Sequence, residues 1–265
     1  MRANAMKAKL AAGEPALGLS VMIPSPQLVE MAAGCGFDWV LIDCEHGTIG
    51  PESAELMIMA AEASGITPIV RPRSKAAQDI VEVMDRGAAG VQVPHVITRA
   101  DAVAAVEAVK FHPQGRRGLA AGTRASGYGF RGSAAEFVQA ANRESLVCVQ
   151  IEDAAALPNL PEILQVDGVD VFFVGPSDLS QSMGFPGNPA AAPVAQAIDA
   201  AIRQIVAAGK TAGMPAASAN VGTTVGRGVR YIYTHVPGLF GSAAQSFLQA
   251  AKAGCQGRTP RNEPA

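Results

Sequence analysis

Short β-rich runs alternate with helical runs along almost the whole chain, and this alternation restricts the folds that it can adopt. Apolar, β-branched runs of this length are typical of buried strands. They predict eight strands, at residues 16–23, 38–45, 67–71, 90–96, 146–151, 169–174, 211–216 and 229–234. Helices are predicted at residues 25–34, 51–64, 75–86, 100–111, 134–143 and 241–253. Eight βα units in about 250 residues match a (β/α)₈ barrel. An open doubly wound sheet has the same local pattern and is the competing interpretation.

The length of 265 residues suits one large α/β domain. Hydrophobic residues make up 49% and charged residues 17%, a composition of globular and not of disordered chains. We therefore predict a single barrel domain over residues 1–254. The closing residues 255–265 are polar and contain proline, and we expect them to be a disordered tail.

Composition also narrows the range of partners. The net charge is −2 and no basic stripe is present, which argues against a nucleic-acid partner. No apolar run reaches the roughly 18 residues of a membrane span, and the first ten residues lack an apolar signal core. The four cysteines follow neither disulfide nor metal-ligand spacing, so a cytoplasmic location is expected. The expected partners are small molecules.

In a barrel of this kind the chemistry takes place where the strands end. Four of the predicted strand ends are unusually polar. Strand two ends in Asp43, Glu45 and His46, strand three in Arg71, strand five in Glu152 and Asp153, and strand six runs into Gly175, Pro176, Ser177 and Asp178.

Glu152 and Asp178 follow strands five and six, which are neighbours in a closed barrel. Two carboxylates held together repel unless a proton or a cation lies between them. Oxygen ligands without nearby cysteine or histidine suit a hard divalent ion such as Mg²⁺ or Mn²⁺. An acid at such a position is, however, more often a helix cap, and Asp178 is open to that interpretation.

His46 and Arg71 are candidates for the reaction itself. An imidazole beside two acids at a strand end suits a general base near neutral pH. A lone histidine is more often structural, and this is our interpretation of the other three, His95, His112 and His235. Arg71 precedes a proline, which favours extended backbone, and its guanidinium suits a carboxylate or a developing oxyanion. An ion pair at the barrel rim is the alternative role for Arg71.

Four segments together resemble the class II pyruvate aldolases, the metal-dependent family of 4-hydroxy-2-oxoheptanedioate and 2-dehydro-3-deoxyglucarate aldolases. They are 36–46 (GFDWVLIDCEH), 70–72 (VRP), 149–152 (VQIE) and 174–180 (VGPSDLS), with Met-Gly at 183–184. The resemblance extends from about residue 16 to residue 254. It implies a barrel of the phosphoenolpyruvate/pyruvate-binding type that cleaves 4-hydroxy-2-oxo acids to pyruvate and an aldehyde.

The resemblance also implies a role for each matching residue. His46 corresponds to the proton acceptor, Arg71 to the group that stabilises the enolate, and Glu152 and Asp178 to the ligands of Mg²⁺, Mn²⁺ or Co²⁺. Asp85 corresponds to an acid that raises the basicity of the histidine, in relatives from a neighbouring subunit of a homohexamer. The residues expected to contact the pyruvate moiety are Gln150, Gly175, Pro176, Ser177 and Asp178. Asp43 is expected to support His46.

Other mechanisms and functions remain open from sequence. A Schiff-base mechanism needs a desolvated lysine at the strand ends, and of the six lysines only Lys75 lies on that side. A citramalyl- or malyl-CoA lyase and a non-catalytic keto-acid-binding barrel are the alternative functions. Residues 222–228 (GTTVGRG) match no phosphate loop and are interpreted as a flexible turn. The chain departs from its relatives at Ser20, Gly127 and Tyr128, in the parts that select the aldehyde, so the acceptor is not assigned.

Overall fold

The computed structural model describes residues 2–256, which form a closed barrel of eight parallel strands in chain order. The strands are β1 (Ala16–Val21), β2 (Trp39–Asp43), β3 (Thr67–Arg71), β4 (Gly90–Val93), β5 (Leu146–Ile151), β6 (Val171–Val174), β7 (Thr211–Pro215) and β8 (Val229–His235). β1 pairs with both β2 and β8, which closes the sheet on itself. This confirms the predicted (β/α)₈ barrel and excludes the open sheet.

The helices surround the barrel. They are α1 (Ala5–Ala11), α2 (Pro26–Gly34), α3 (Pro51–Ser64), α4 (Ala77–Asp85), α5 (Arg99–Val109), α6 (Ala134–Glu144), α7 (Leu160–Ile163), α8 (Pro176–Ser182), α9 (Ala192–Ala207), α10 (Val221–Gly226) and α11 (Val236–Gln256). Prolines stand in the first turn of α2 and α3, where the missing N–H has no helical acceptor. Within residues 2–256, no helix combines the length and the apolar character needed to cross a membrane.

Side chains alternate between two cores along each strand, as the two-residue period of a strand requires. Large apolar side chains fill the barrel interior, where the ring centroids of Trp39 and Tyr231 lie 4.1 Å apart and Phe173 stacks on Tyr233 at 5.2 Å. Gly18 makes room for the indole, since a Cβ at that position would lie 2.3 Å from Trp39 Cε2. The alternate strand residues pack outward against the helices in a second, larger core.

α1 closes the end of the barrel at which the strands begin. Met6 is fully buried there among the interior side chains, and Leu10 packs beside it. Asn4 caps the helix by accepting a hydrogen bond from the backbone N–H of Lys7. Its side-chain amide donates to the carbonyl oxygens of Ala89 and Glu144, just before β4 and β5. This floor leaves the opposite end, at which the strands finish, as the open mouth of the barrel.

The structure corrects several predicted boundaries. Residues 222–228 are not a flexible turn, because α10 occupies Val221–Gly226. The last helix begins at Val236 and not at residue 241, and it continues to Gln256. The first two residues of the predicted tail are therefore helical, and residues 257–265 lie outside the part of the chain that the structure describes. Predicted strand β4 extended to residue 96, whereas it ends at Val93.

Candidate active site

Most of the predicted strand-end residues meet in one cavity at the mouth of the barrel. Its volume is about 180 Å³. The lining residues come from β1, β2, β3, β5, β6, β7 and β8 and their following loops. They are Met22, His46, Arg71, Gln150, Glu152, Phe173, Gly175, Pro176, Ser177, Asp178, Pro215, Tyr233 and His235. His46, Arg71, Glu152 and Asp178 were all predicted for this place.

Asp43 and Arg71 form a buried pair at the ends of β2 and β3. Arg71 Nε lies 2.9 Å from Asp43 Oδ1 and Nη2 lies 2.5 Å from Oδ2, so the carboxylate holds the guanidinium at two points. Oδ1 also accepts hydrogen bonds from the backbone N–H groups of Glu45 and His46. Burial opposes the charge on Arg71, but the bonds to Asp43 outweigh it and raise the pKa of the guanidinium. Arg71 is therefore a fixed positive charge, and Asp43 positions it.

Glu45 lies between His46 and Arg71, next to the cavity. Its Oε2 is 3.2 Å from Arg71 Nη1 and 3.8 Å from His46 Nε2. Burial raises the pKa of Glu45, although the neighbouring Arg71 opposes this. The imidazole of His46 is about half exposed and faces the open mouth. A base at this position is accessible to a substrate hydroxyl.

Glu152 and Asp178 both line the mouth cavity, Glu152 just after β5 and Asp178 in the first turn of α8. Burial, with a contribution from the negative charge of Asp178, raises the pKa of Glu152 to about 7. Gly175 allows the Glu152 side chain to lie against the chain at the start of α8, since a Cβ at position 175 would lie 2.7 Å from Glu152 Oε2. Two carboxylates held in this way are stabilised by a positive ion between them.

Gln150 is fully buried below Glu152, and both ends of its amide are engaged. The amide nitrogen donates to Glu152 Oε2, while its oxygen accepts from Gln92 Nε2. Tyr231 donates its hydroxyl proton to the oxygen of Gln92. This chain of hydrogen bonds fixes the orientation of the Glu152 carboxylate from below. The predicted contact of Gln150 with pyruvate stays a prediction.

His95 was interpreted as structural, and the structure places it in contact with Glu152, beside the mouth cavity but not in its lining. It follows β4 with a φ of 53°, a left-handed backbone that is uncommon outside glycine. Its backbone N–H donates to Glu152 Oε1 at 3.0 Å, and its ring Nδ1 lies 3.0 Å from Asp153 Oδ2. The same rule that selected the other strand ends applies to His95. It was missed because the predicted strand continued past it.

His235 was also interpreted as structural and also lies at the mouth, as the last residue of β8. Burial, followed by the positive charge of Arg71, lowers the pKa of its ring. The remaining histidine, His112, is exposed in the connection after α5, away from this cavity.

Asp85 is not brought to His46 within one chain. It is the last residue of α4, which returns the chain to the beginning of β4, at the closed end of the barrel. Its Oδ1 lies 2.5 Å from Nη2 of the buried Arg117. The predicted contribution of Asp85 was from a neighbouring subunit, and it stays a prediction.

No lysine in residues 2–256 lines the mouth cavity. Lys75 lies near the mouth but pairs with Asp101 at 2.9 Å and donates to the His95 carbonyl oxygen. Burial lowers the pKa of Lys110 to about 8, but its ammonium donates to the carbonyl oxygens of Asn142 and Ser145, just before β5 begins. The geometry therefore does not favour a Schiff base.

The donor set of the mouth fits a hard divalent ion. Within the described part of the chain, no three His, Cys, Asp or Glu side chains form a metal-binding group, so the protein would supply the two carboxylates Glu152 and Asp178. Oxygen ligands with further positions left to water and substrate are typical of Mg²⁺ and similar ions. Glu45 Oε2 is a buried oxygen with no hydrogen-bond partner in residues 2–256, and its nearest cation is Arg71, with Nη1 at 3.2 Å.

Comparisons with known proteins agree with this geometry. A family model described as HpcH/HpaI aldolase/citrate lyase matches residues 17–225. A hydroxypyruvate/pyruvate aldolase of Sagittula stellata is 41% identical over 195 residues, 74% of this chain and 76% of that protein. A 4-hydroxy-2-oxo-heptane-1,7-dioate aldolase of Shigella sonnei is 40% identical over 212 residues, 80% of each.

Among solved structures, a HpcH/HpaI aldolase/citrate lyase family protein from Burkholderia cenocepacia J2315 superposes with a TM-score of 0.88 at 29% identity, over 94% of this chain and 99% of that one. The match therefore covers the complete barrel and not only its motifs. The chain belongs to the HpcH/HpaI aldolase/citrate lyase family.

Proposed function

We propose that this chain is a metal-dependent aldolase that reversibly cleaves 4-hydroxy-2-oxo acids to pyruvate and an aldehyde. The observation that supports this most directly is the mouth cavity. It combines a fixed cation, Arg71, an accessible base, His46, and the carboxylate pair of Glu152 and Asp178. A carbon–carbon lyase with a pyruvate product uses each of these groups.

Each residue of the site has a separate role in the cleavage. His46 takes the proton of the C4 hydroxyl, and as the C3–C4 bond breaks the aldehyde forms at C4. The electron pair of that bond passes to C3 and to the C2 oxygen, where the guanidinium of Arg71 stabilises the enolate charge. Protonation at C3 then gives pyruvate. Asp43 keeps Arg71 in place, and the 175–178 turn borders the position of the 2-oxo acid.

Glu152 and Asp178 would hold the metal ion, with Mg²⁺, Mn²⁺ and Co²⁺ as candidates. When bound, such an ion supplies Lewis-acid stabilisation of the 2-oxo acid. Gln150 and the backbone N–H of His95 orient the Glu152 carboxylate towards that position.

The proposal includes a homo-oligomer, with a hexamer expected from the resemblance, and a cytoplasmic location. Two features support association. α11 exposes Phe240 at 75% and Phe247 at 74%, an unusual amount of aromatic surface for a helix of a monomer. His46 also has no Asp85 beside it in its own chain, and a neighbouring chain would supply that acid.

Pyruvate release from 4-hydroxy-2-oxo acids tests the proposal. The assay compares wild type with and without EDTA, Glu152→Gln, and Glu162→Gln as a matched control on the exposed face of α7. Activity should disappear with EDTA and return with Mg²⁺, Mn²⁺ or Co²⁺. Glu152→Gln should lower the rate of pyruvate release by more than about 100-fold. Mutation of a residue that only hydrogen-bonds to a metal ligand already costs about 10–100-fold in metal affinity or activity. Glu162→Gln should match wild type.

Activity that survives EDTA but is lost when borohydride reduces an imine between a lysine and pyruvate would show a lysine mechanism and overturn the proposal. A wild-type protein that releases no pyruvate from any such acid would favour a CoA-ester lyase or a binding protein.

A further inference from the structure

His235 continues the inward-facing series of β8. Residues two apart on a strand face the same side, and Tyr231 and Tyr233 both belong to the barrel interior. His235 is the next residue in that series and lies at the level of the mouth. Its ring packs edge-on against Tyr233, with centroids 5.2 Å apart. It borders the same cavity as Arg71 and Glu152, but no step of the proposed cleavage uses it.

The polar atoms in this part of the wall lack partners. His235 is exposed, its ring packs on Tyr233, and its side chain makes no hydrogen bond to a residue in 2–256. Its neighbour in the β1–β8 register is Ser20, which is 1% exposed. The Ser20 hydroxyl has no hydrogen-bond partner in the described chain. An unpaired buried hydroxyl is costly, so a polar group or water is expected beside it.

A second cavity of about 500 Å³ opens from the mouth beside His235. We call it the acceptor groove. It shares Pro176, Ser177, Pro215 and His235 with the mouth cavity and continues between α9 and α10. His235 therefore stands where the two spaces join, and a molecule that extends out of the mouth towards the groove passes its ring.

Among the residues that line the acceptor groove, no lysine or arginine is free of an acidic partner. Its arginine, Arg227, is already paired with Asp199 across the groove. Partial burial and then the positive charge of Arg71 lower the pKa of His235, with Asp43 opposing, and this direction favours the neutral imidazole. A neutral imidazole donates one hydrogen bond and accepts another, which matches a hydroxyl group better than a carboxylate.

We propose that His235 recognises a hydroxyl group of the acceptor aldehyde and makes short hydroxylated, uncharged aldehydes the preferred acceptors, with the buried Ser20 as its neighbour in the barrel wall. This inference rests on the proposed aldolase function. His235 is then a specificity-determining residue at the boundary between the mouth cavity and the acceptor groove.

The test compares two acceptors that differ by one hydroxyl, glycolaldehyde and acetaldehyde, each condensed with pyruvate in the presence of Mn²⁺. The quantity measured is the ratio of their kcat/KM values in wild type, His235→Leu, His235→Gln and Ser20→Ala. The matched control is His112→Leu, the same change at an exposed position away from the mouth. Circular dichroism and thermal unfolding check that each variant is folded.

Wild type should prefer glycolaldehyde, and His235→Leu should lower the ratio by about tenfold, as expected for one lost hydrogen bond. His235→Gln keeps a donor and an acceptor, so its kcat/KM ratio should lie between those of wild type and His235→Leu. Ser20→Ala should lower the ratio modestly. His112→Leu should leave it unchanged. An unchanged ratio in folded His235→Leu, or a wild-type preference for the carboxylate-ended succinic semialdehyde, would overturn the inference.

Exchange of the pyruvate methyl protons in D₂O, measured by NMR without any aldehyde, separates the two proposals. Wild type that exchanges these protons but shows no preference for the hydroxylated acceptor would refute the role of His235 alone. Wild type that neither exchanges protons nor condenses any aldehyde would refute the aldolase function itself.

Discussion

At the scale of single residues, the site depends on a buried charge that a second residue holds in place. Arg71 contacts Asp43 through two of its nitrogens, and Asp43 is completely buried. Asp43→Asn keeps the size of the side chain but removes its charge, which leaves the guanidinium poorly held. We expect kcat/KM for pyruvate release to fall about 100-fold, equivalent to about 3 kcal/mol, within the range for breaking a buried pair.

Asp38→Asn is the matched control for that variant. Asp38 immediately precedes the same strand at its other end and pairs with Lys9 at 2.8 Å, in a partly exposed position. Its loss should lower Tm slightly and leave kcat/KM unchanged. Wild-type kinetics in Asp43→Asn would show that Asp43 does not position Arg71.

Candidate site residues could be predicted from the sequence where they lie at a strand end, and less well elsewhere. His46, Arg71, Glu152 and Asp178 were found because each follows an apolar run, and the structure brings them to one cavity. His95 was missed because β4 ends at Val93, before Pro94, and therefore earlier than the apolar pattern indicates. The hydrogen bonds of Gln150 with Gln92 and Glu152 join two strands, and no local pattern reports such a contact.

At the scale of elements, the junction of β6 and α8 determines how closely the Glu152 carboxylate approaches the chain. A Cβ on Gly175 would lie 2.7 Å from Glu152 Oε2 and 2.9 Å from Glu152 Cβ. We predict that Gly175→Ala displaces the carboxylate and weakens Mn²⁺ binding by about tenfold or more, as changes around metal ligands typically do. Calorimetric titration of the metal-free protein with Mn²⁺ measures this directly.

Gly34→Ala is the control for Gly175→Ala. Gly34 is the last residue of α2, and a Cβ there would meet nothing within 4 Å. Alanine favours a helix more than glycine, so Tm should hold or rise while Mn²⁺ affinity stays at the wild-type value. Equal affinity in wild type and Gly175→Ala would show that the close approach has no bearing on metal binding.

Most of the predicted elements match the structure to within a few residues, but α9, a helix of 16 residues, was not predicted. β3 and β5 have the predicted bounds, since both are short, mainly apolar runs. α1, by contrast, was not predicted, because its seven residues have no helical signal that stands alone. It is stabilised by burying Met6 and Leu10 against the barrel floor, a tertiary contact that the local sequence does not encode.

At the scale of the whole molecule, the count of eight βα units predicted the barrel, but closure depends on a pairing between the two ends of the chain. β1 and β8 are joined through residues such as Ala16 and Tyr231, far apart in sequence. The same pairing places Ser20 beside His235. The acceptor groove also depends on closure of the barrel, so it could not be predicted from separate segments of the sequence.

The last prediction concerns how chains combine. Asp85 and His46 lie at opposite ends of one barrel, so a site that uses both must join two chains. His46→Ala and Asp85→Ala should each be nearly inactive alone. Mixed after gentle dissociation and reassociation, they should regain about a quarter of wild-type activity, because random pairing in a symmetric oligomer leaves that share of sites with both residues. The control mixes His46→Ala with Glu152→Ala, two residues of the same cavity, and should regain nothing. If the first mixture also stays inactive while the chains demonstrably exchange, Asp85 does not complete a neighbouring site.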